Sequence, residues 1–182
     1  PGVDQIAQGM GGLMSITGAP GQGPMRVGIP IADLCAGLFA AQGIMIALLE
    51  RATSGKGQWI QTSLLQAQVF MLDFQAARYL MDGDVPKQAG NNHPTSIPTG
   101  VFRTKDGHMN IAVTGNTICT NFAKAMGKET WLDDARYETA PARSDNRDTL
   151  GAEIQEIMER ETTAHWIELL TGAGVPAGEI ND

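Results

Sequence analysis

From Ile29 to Glu50 the chain reads IPIADLCAGLFAAQGIMIALLE, an apolar run interrupted near its start by one carboxylate, Asp33. It predicts a long helix, Ala32 to Thr53, with apolar residues on nearly every face, and a helix of that kind is buried all round. The run is also about the length of a membrane span, but Asp33 and Gln42 lie within it and Glu50 closes it. Such residues are costly in a bilayer, so a core helix of a soluble protein fits better and no membrane is expected. A lone carboxylate at the start of a buried helix is costly unless it is hydrogen-bonded, paired or chemically employed. Two compatible readings of Asp33 follow. As a cap it would satisfy exposed N–H groups at the positive end of the helix dipole. As a nucleophile it would use the same amide donors to stay ionised while Ile31, Leu34 and Leu38 strip its water, leaving a poorly hydrated anion open to an electrophile.

The rest of the composition narrows the class. A net charge of -7 over 182 residues, with no Lys/Arg cluster, leaves few cations for tracking phosphates, so nucleic acid is not an expected partner. Cys35 and Cys119 lack CxxC or metal-ligand spacing, and reduced thiols in a cytoplasmic protein are the natural reading. His93, His108 and His165 are scattered, so no metal site is expected. Of the three, His93 stands apart because its loop, GNNHP, is irregular, and such loops carry function. SGKGQ (Ser54 to Gln58) resembles a phosphate-binding loop, but Glu50 stands where the leading glycine belongs and Gly57 where Ser or Thr belongs, so it reads as a turn.

Along the chain, Asp4 to Thr17 predicts a short helix whose glycines permit another backbone to pack closely. MRVGIPI is a short extended segment, QWIQTSL a strand, and Leu64 to Met81 a second helix. Residues 82–100, with three prolines and three glycines, mark a connection between domains or an active-site loop. VFRTKDGHMNIAV predicts a hairpin turning at Lys105, Asp106 and Gly107. Helices follow at Thr117 to Met126, Asn146 to Arg160 and Thr163 to Gly172, and the final residues enter a strand. The expected fold is α/β plus α+β, in two parts, residues 1–83 and 84–182. The chain opens at Pro1 with a helical pattern under way and ends without a terminating pattern, which reads as an internal segment of something longer.

Five stretches, DQIAQGMGGLMSITG, RVGIPIADLCAGLFAAQGIMIALLERATSGKGQWIQTSLLQA, GNNHPTSIPTGVFRTKDGHMNIAV, RSDNRDTL and AGVPAGEIND, together resemble the family III CoA-transferases, which include formyl-CoA transferase, carnitine CoA-transferases and the 2-methylacyl-CoA racemases. Members are roughly twice this length. The resemblance implies that residues 1–83 are the end of a Rossmann-like large, CoA-binding domain with its long buried helices and connecting helix, and residues 84–182 a small α+β domain. It implies an interlocked homodimer, coenzyme A and acyl-CoA as substrates with a small carboxylic acid, and no metal or redox cofactor. Asp33 matches the family's catalytic aspartate, which attacks the thioester to give an aspartyl anhydride. Gly90, Asn91, Asn92 and His93 match a substrate loop, here without the glycine run of formyl-CoA transferase, and Arg26 is the candidate contact to coenzyme A. Racemases carry GHD where this chain has GVD. With Val3 in place of the histidine no proton can be shuttled there, so transfer is favoured over racemisation or epimerisation. A non-catalytic, self-associating module is the third alternative.

Overall fold

The computed structural model describes residues 2–181. The chain divides into two compact units, one running to Gly90 and the other from Asn91.

Among its described residues the first unit is helical: α1 (Asp4–Met10), α2 (Leu13–Ile16), α3 (Ile31–Ser54), α4 (Leu64–Phe70) and α5 (Phe74–Asp82). One helix over Asp4 to Thr17 does not form, because Gly12 takes a left-handed φ of 86° between α1 and α2. What approaches these glycines is a side chain and not a backbone. A Cβ on Gly11 would overlap the side-chain amide of buried Gln68 on α4, whose nitrogen, turned toward them, donates to the carbonyls of Ala7 and Gly11 at 3.0 and 3.2 Å. The helix expected from Leu64 to Met81 is likewise two, broken where Asp73 adopts a φ of 48°. Residues 58–64 form no strand, the last of them opening α4, and neither does the segment around Arg26 to Ile29, since neither has a ladder to join. Among the described residues this part contributes helices, and the strands of the mixed α/β chain lie in the second unit.

The long helix forms with nearly the expected bounds, yet it is not buried all round. Only Ala32, Cys35 and Ala36 are buried, against Ala67 of α4, with Phe39 and Phe70 meeting edge to face at 5.1 Å. Leu38 is 64% exposed and Leu49 73%, and Ile44, Met45 and Ile46 are also open. Of the exposed large apolar side chains, all but Leu169 and Ile180 belong to this unit. An 18-residue stretch of the helix, with a mean hydropathy of 1.8, also suits a membrane span by length and composition. Apolar surface on this scale drives association, so this chain by itself is expected to self-associate in sedimentation experiments. A monomer at high concentration would contradict that expectation.

The second unit contains its own core. The hairpin forms as expected, β1 (Thr99–Arg103) against β2 (His108–Ala112), with Arg103 opposite His108 and Thr99 opposite Ala112. β3 (Ala177–Glu179) adds antiparallel to β2, giving the order β1-β2-β3. Strand alternation sends Phe102, Met109 and Ile111 inward, where they join Phe122, Trp131, Tyr137, Ile154, Met158 and Leu170. Tyr137 sits in a turn after the 3₁₀ helix, and the others come from α6 (Gly115–Ala125), that 3₁₀ helix (Glu129–Leu132), α8 (Arg147–Met158) and α9 (Thr163–Gly172), with the short α7 (Ala140–Asp145) leading into α8. Sheet and helices thus make an α+β unit. Buried Tyr137 donates its hydroxyl to Glu153 at 2.7 Å, and burial together with that carboxylate pushes its pKa up to about 12.

The hairpin turn also starts α9. The Asp106 carboxylate accepts the Thr163 backbone N–H at 2.8 Å and its hydroxyl at 3.0 Å. The backbone donor is the main reason its pKa lies below the usual 3.8, against a smaller opposing desolvation, with the hydroxyls of Thr163 and Thr104 adding to the lowering. A depressed folded pKa stabilises above the unfolded value, and the stabilisation is lost as pH falls through the folded one. Asp106→Ala is therefore expected to lower Tm by a few degrees at neutral pH. The gap to the unmodified protein should close in melting curves taken below about pH 4.

Candidate functional site

Asp33 stands at the third residue of α3, in the first turn, where the helix dipole favours a carboxylate. It is not the cap. Pro30 precedes the helix and offers no side-chain acceptor. The N–H of Ala32 is instead accepted, at 2.9 Å, by Oδ1 of Asp4 on α1. Asp4 is the buried carboxylate of this unit, and Oδ2 accepts from Nε2 of Gln8 at 2.7 Å. Gln8, itself fully buried, ties down the chain entering α3, with Oε1 accepting the Val27 N–H at 2.9 Å and Nε2 donating to the Ile29 carbonyl at 3.3 Å. Arg26 lies 3.8 Å from Asp4 Oδ2 and is otherwise open to solvent. The start of α3 is thus bolted to α1 through a polar network whose groups are all satisfied.

This arrangement leaves Asp33 unencumbered. Its side chain is exposed, and among the described residues it accepts no hydrogen bond and pairs with no cation. The expected desolvation by apolar neighbours is not realised within this chain, because Leu34 and Leu38 are themselves at least half exposed. Capping and positioning are carried out by another carboxylate. A solvent-facing carboxylate on a fixed helix start can accept a proton, pair with a cation or attack an electrophile.

The second candidate stretch is Gly90 to His93, at the sequence boundary of the two units. Gly90, the last residue of the first unit, has a left-handed φ of 59° and donates its N–H to the Gly18 carbonyl at 3.0 Å. Asn91, Asn92 and His93 begin the second unit and are laced to β1: Asn92 bridges Gly100, the His93 N–H reaches the Thr99 carbonyl at 2.8 Å, and Val101 donates to Asn91 at 3.2 Å. A Cβ on Gly100 would sit 2.6 Å from Asn92 Oδ1 and 2.8 Å from the Asn91 carbonyl, so only glycine admits this approach. The His93 ring closes the loop from inside, with Nδ1 accepting from the N–H groups of Ser96 at 2.9 Å and Thr95 at 3.2 Å. Nδ1 is then the unprotonated nitrogen and Nε2 carries the hydrogen. Asn92 also lines a cleft of about 340 Å³ with Val101, Phe102, Arg147 and Gln155.

His108 is exposed on β2 and His165 exposed in the first turn of α9. No group of three or more His, Cys, Asp or Glu side chains among the described residues is placed to hold a metal ion. The residue missed in the sequence is Asp4, whose partner N–H lies 28 positions away and left no local signal.

A family model described as CoA-transferase family III matches residues 1–182. The chain is 38% identical over 180 residues to succinyl-CoA:glutarate CoA-transferase of Mus musculus, covering 99% of this chain and 41% of that protein. It is 37% identical over 185 residues to succinate–glutarate CoA-transferase of Agrobacterium fabrum, covering 99% of this chain and 45% of that one. The crystal structure of a CAIB/BAIF family protein from Brucella suis superposes with a TM-score of 0.81 at 35% identity, covering 100% of this chain and 48% of that chain. The chain therefore spans less than half the length of these relatives.

Proposed function

The chain belongs to CoA-transferase family III, and from that footing we propose that the full-length protein moves CoA from an acyl-CoA thioester to a small carboxylic acid, with Asp33 as nucleophile. The observation that carries this reading is the exposed, uncommitted Asp33 carboxylate on a helix start fixed by Asp4 and Gln8. The names of the relatives, built on succinyl-CoA and glutarate, point to dicarboxylates as donor and acceptor here too.

The balance of bonds sets the route. An Asp33 oxygen attacks the thioester carbonyl, the C–S bond breaks, and CoA leaves as thiolate, a good leaving group, with an aspartyl-acyl anhydride behind. For CoA to change partner, the thiolate attacks the aspartyl carbonyl of that anhydride, releasing the donor acid as carboxylate and leaving CoA as an aspartyl thioester. The acceptor carboxylate then attacks that thioester, the thiolate leaves again, and its attack on the acceptor's own carbonyl yields the new acyl-CoA and free Asp33. No proton, metal or redox equivalent is consumed. The protein's share is placement and stabilisation of oxyanions and thiolate.

In the same reading, the first unit is the end of a Rossmann-like CoA-binding domain, and the open faces of α3 are covered by the rest of the protein or by a second subunit of a homodimer. That covering brings the water exclusion around Leu34 and Leu38 that this chain lacks. Arg26 contacts the coenzyme, and the loop at Gly90, Asn91, Asn92 and His93 meets the acyl or carboxylate group. A steady-state assay of the full-length protein with succinyl-CoA and glutarate tests this. Glutaryl-CoA formation without α-deuterium uptake from heavy water supports transfer, whereas α-exchange without CoA movement supports the epimerase chemistry that Val3 disfavours.

A further inference from the structure

RSDNRDTL is a stretch for which the proposed chemistry has no task. Its two arginines stand four residues apart across the joint between α7 and α8, where Asn146 ends one helix and begins the next. Neither guanidinium meets a carboxylate among the described residues, although Arg78, Arg103, Arg136 and Arg160 all do. Their donors go to backbone carbonyls instead. Arg143, only 5% exposed, donates Nε to the Ile97 carbonyl at 3.1 Å and Nη1 to the Tyr137 carbonyl at 2.8 Å. Arg147 donates Nη2 to the Pro94 carbonyl at 2.9 Å while Nε and Nη2 hold Ser144 through its carbonyl and hydroxyl, at 3.1 and 2.8 Å.

These contacts complement those already described inside the loop. His93 takes up the N–H groups of Thr95 and Ser96 from within. Arg147 and Arg143 take up the carbonyls of Pro94 and Ile97 from without. Bonding one carbonyl of the loop and a second segment at once requires a planar, multi-donor fork, which lysine lacks.

We propose that Arg147 and Arg143 are positioning residues for the substrate loop: they hold residues 92–98 in the conformation that presents Asn92 and His93 to the acceptor carboxylate. This rests on the reading of that loop given under the proposed function. Neither arginine touches substrate, and their effect passes through the loop backbone.

The test uses the full-length enzyme with succinyl-CoA as donor and glutarate as acceptor. Two readouts are followed in Arg147→Ala and Arg147→Lys: hydrogen exchange at the amides of Thr95 and Ser96, and KM for glutarate beside the rate of the succinate burst from succinyl-CoA alone. The expected result is exchange at least tenfold faster in both variants and a KM for glutarate raised at least tenfold. The succinate burst should stay within about twofold of the unmodified enzyme, and added guanidinium ion should partly rescue Arg147→Ala. Arg103→Ala, which removes only the outward pair with Glu159, should alter neither readout. Unchanged exchange overturns the proposal at its structural step. Faster exchange with unchanged glutarate kinetics overturns it at its functional step, because the loop then positions nothing. Failure of the Asp33 chemistry is separable from both, since the unmodified enzyme would then show no succinate burst. Misfolding of Arg147→Ala would show as lost protection throughout β1 and α8, in which case Arg147→Lys decides.

Discussion

Asp33→Asn and Asp33→Ala in the full-length protein are each expected to lower CoA transfer by on the order of 10⁴-fold or more, since removing a nucleophile removes the covalent route itself. The amide introduced by Asp33→Asn keeps the shape of the side chain but has no anionic oxygen to attack a thioester. Because Asp33 is exposed and bonds to nothing among the described residues, neither change should disturb folding. Melting temperatures should stay within about a degree of the unmodified protein, as for other surface substitutions. Loss of activity with unchanged Tm separates a chemical role from a structural one. Turnover near the normal rate in either variant would end the assignment.

Asp4→Ala is expected to do the opposite, acting first on stability. It leaves one N–H of the buried Gln8 amide, whose other reaches the Ile29 carbonyl, and the Ala32 N–H without an acceptor, and each orphaned buried donor costs about 1–3 kcal/mol, so a loss of about 2–6 kcal/mol should appear in urea unfolding. Asp4→Asn is no rescue, because its own amide nitrogen would face one of those two donors. Since the network anchors the residues leading into α3, activity should also fall in the fraction that remains folded. A variant as stable as the unmodified protein would show that the helix start needs no anchor.

The two carboxylates show what a sequence discloses and what it hides. That a carboxylate caps the long helix is legible in outline, but the apolar run points to Asp33, the one acid inside it, whereas the cap comes from Asp4 through a contact 28 residues long in sequence. Local patterns read well where local physics decides. The hairpin around Lys105, Asp106 and Gly107 follows from strand alternation and a turn, and α9 keeps the bounds Thr163 to Gly172 because Thr162 caps it, accepting the His165 N–H. Periodicity fails where one residue reverses the backbone, as at Asp73, which splits the second helix without a glycine or proline to announce it. It fails again over residues 58–64, where a strand-like alternation has no ladder partner. The apolar faces of α3 read as surface to be covered, but what covers them lies beyond the contacts this chain makes with itself. The loop at Asn91 to His93 is legible as irregular, while its bracing by Arg143 and Arg147 joins positions more than forty residues apart and carries no local signature.

The most direct measurement is to trap the covalent state. Full-length protein incubated with succinyl-CoA and quenched with hydroxylamine should yield a hydroxamate at the Asp33 carboxyl in peptide mass spectra, because both the anhydride and the aspartyl thioester expose that carbonyl to the amine. Label confined to Asp33, and absent without succinyl-CoA, is the predicted result. Label at another carboxylate, or none while the protein is turning over, would contradict the assignment of Asp33 as the nucleophile.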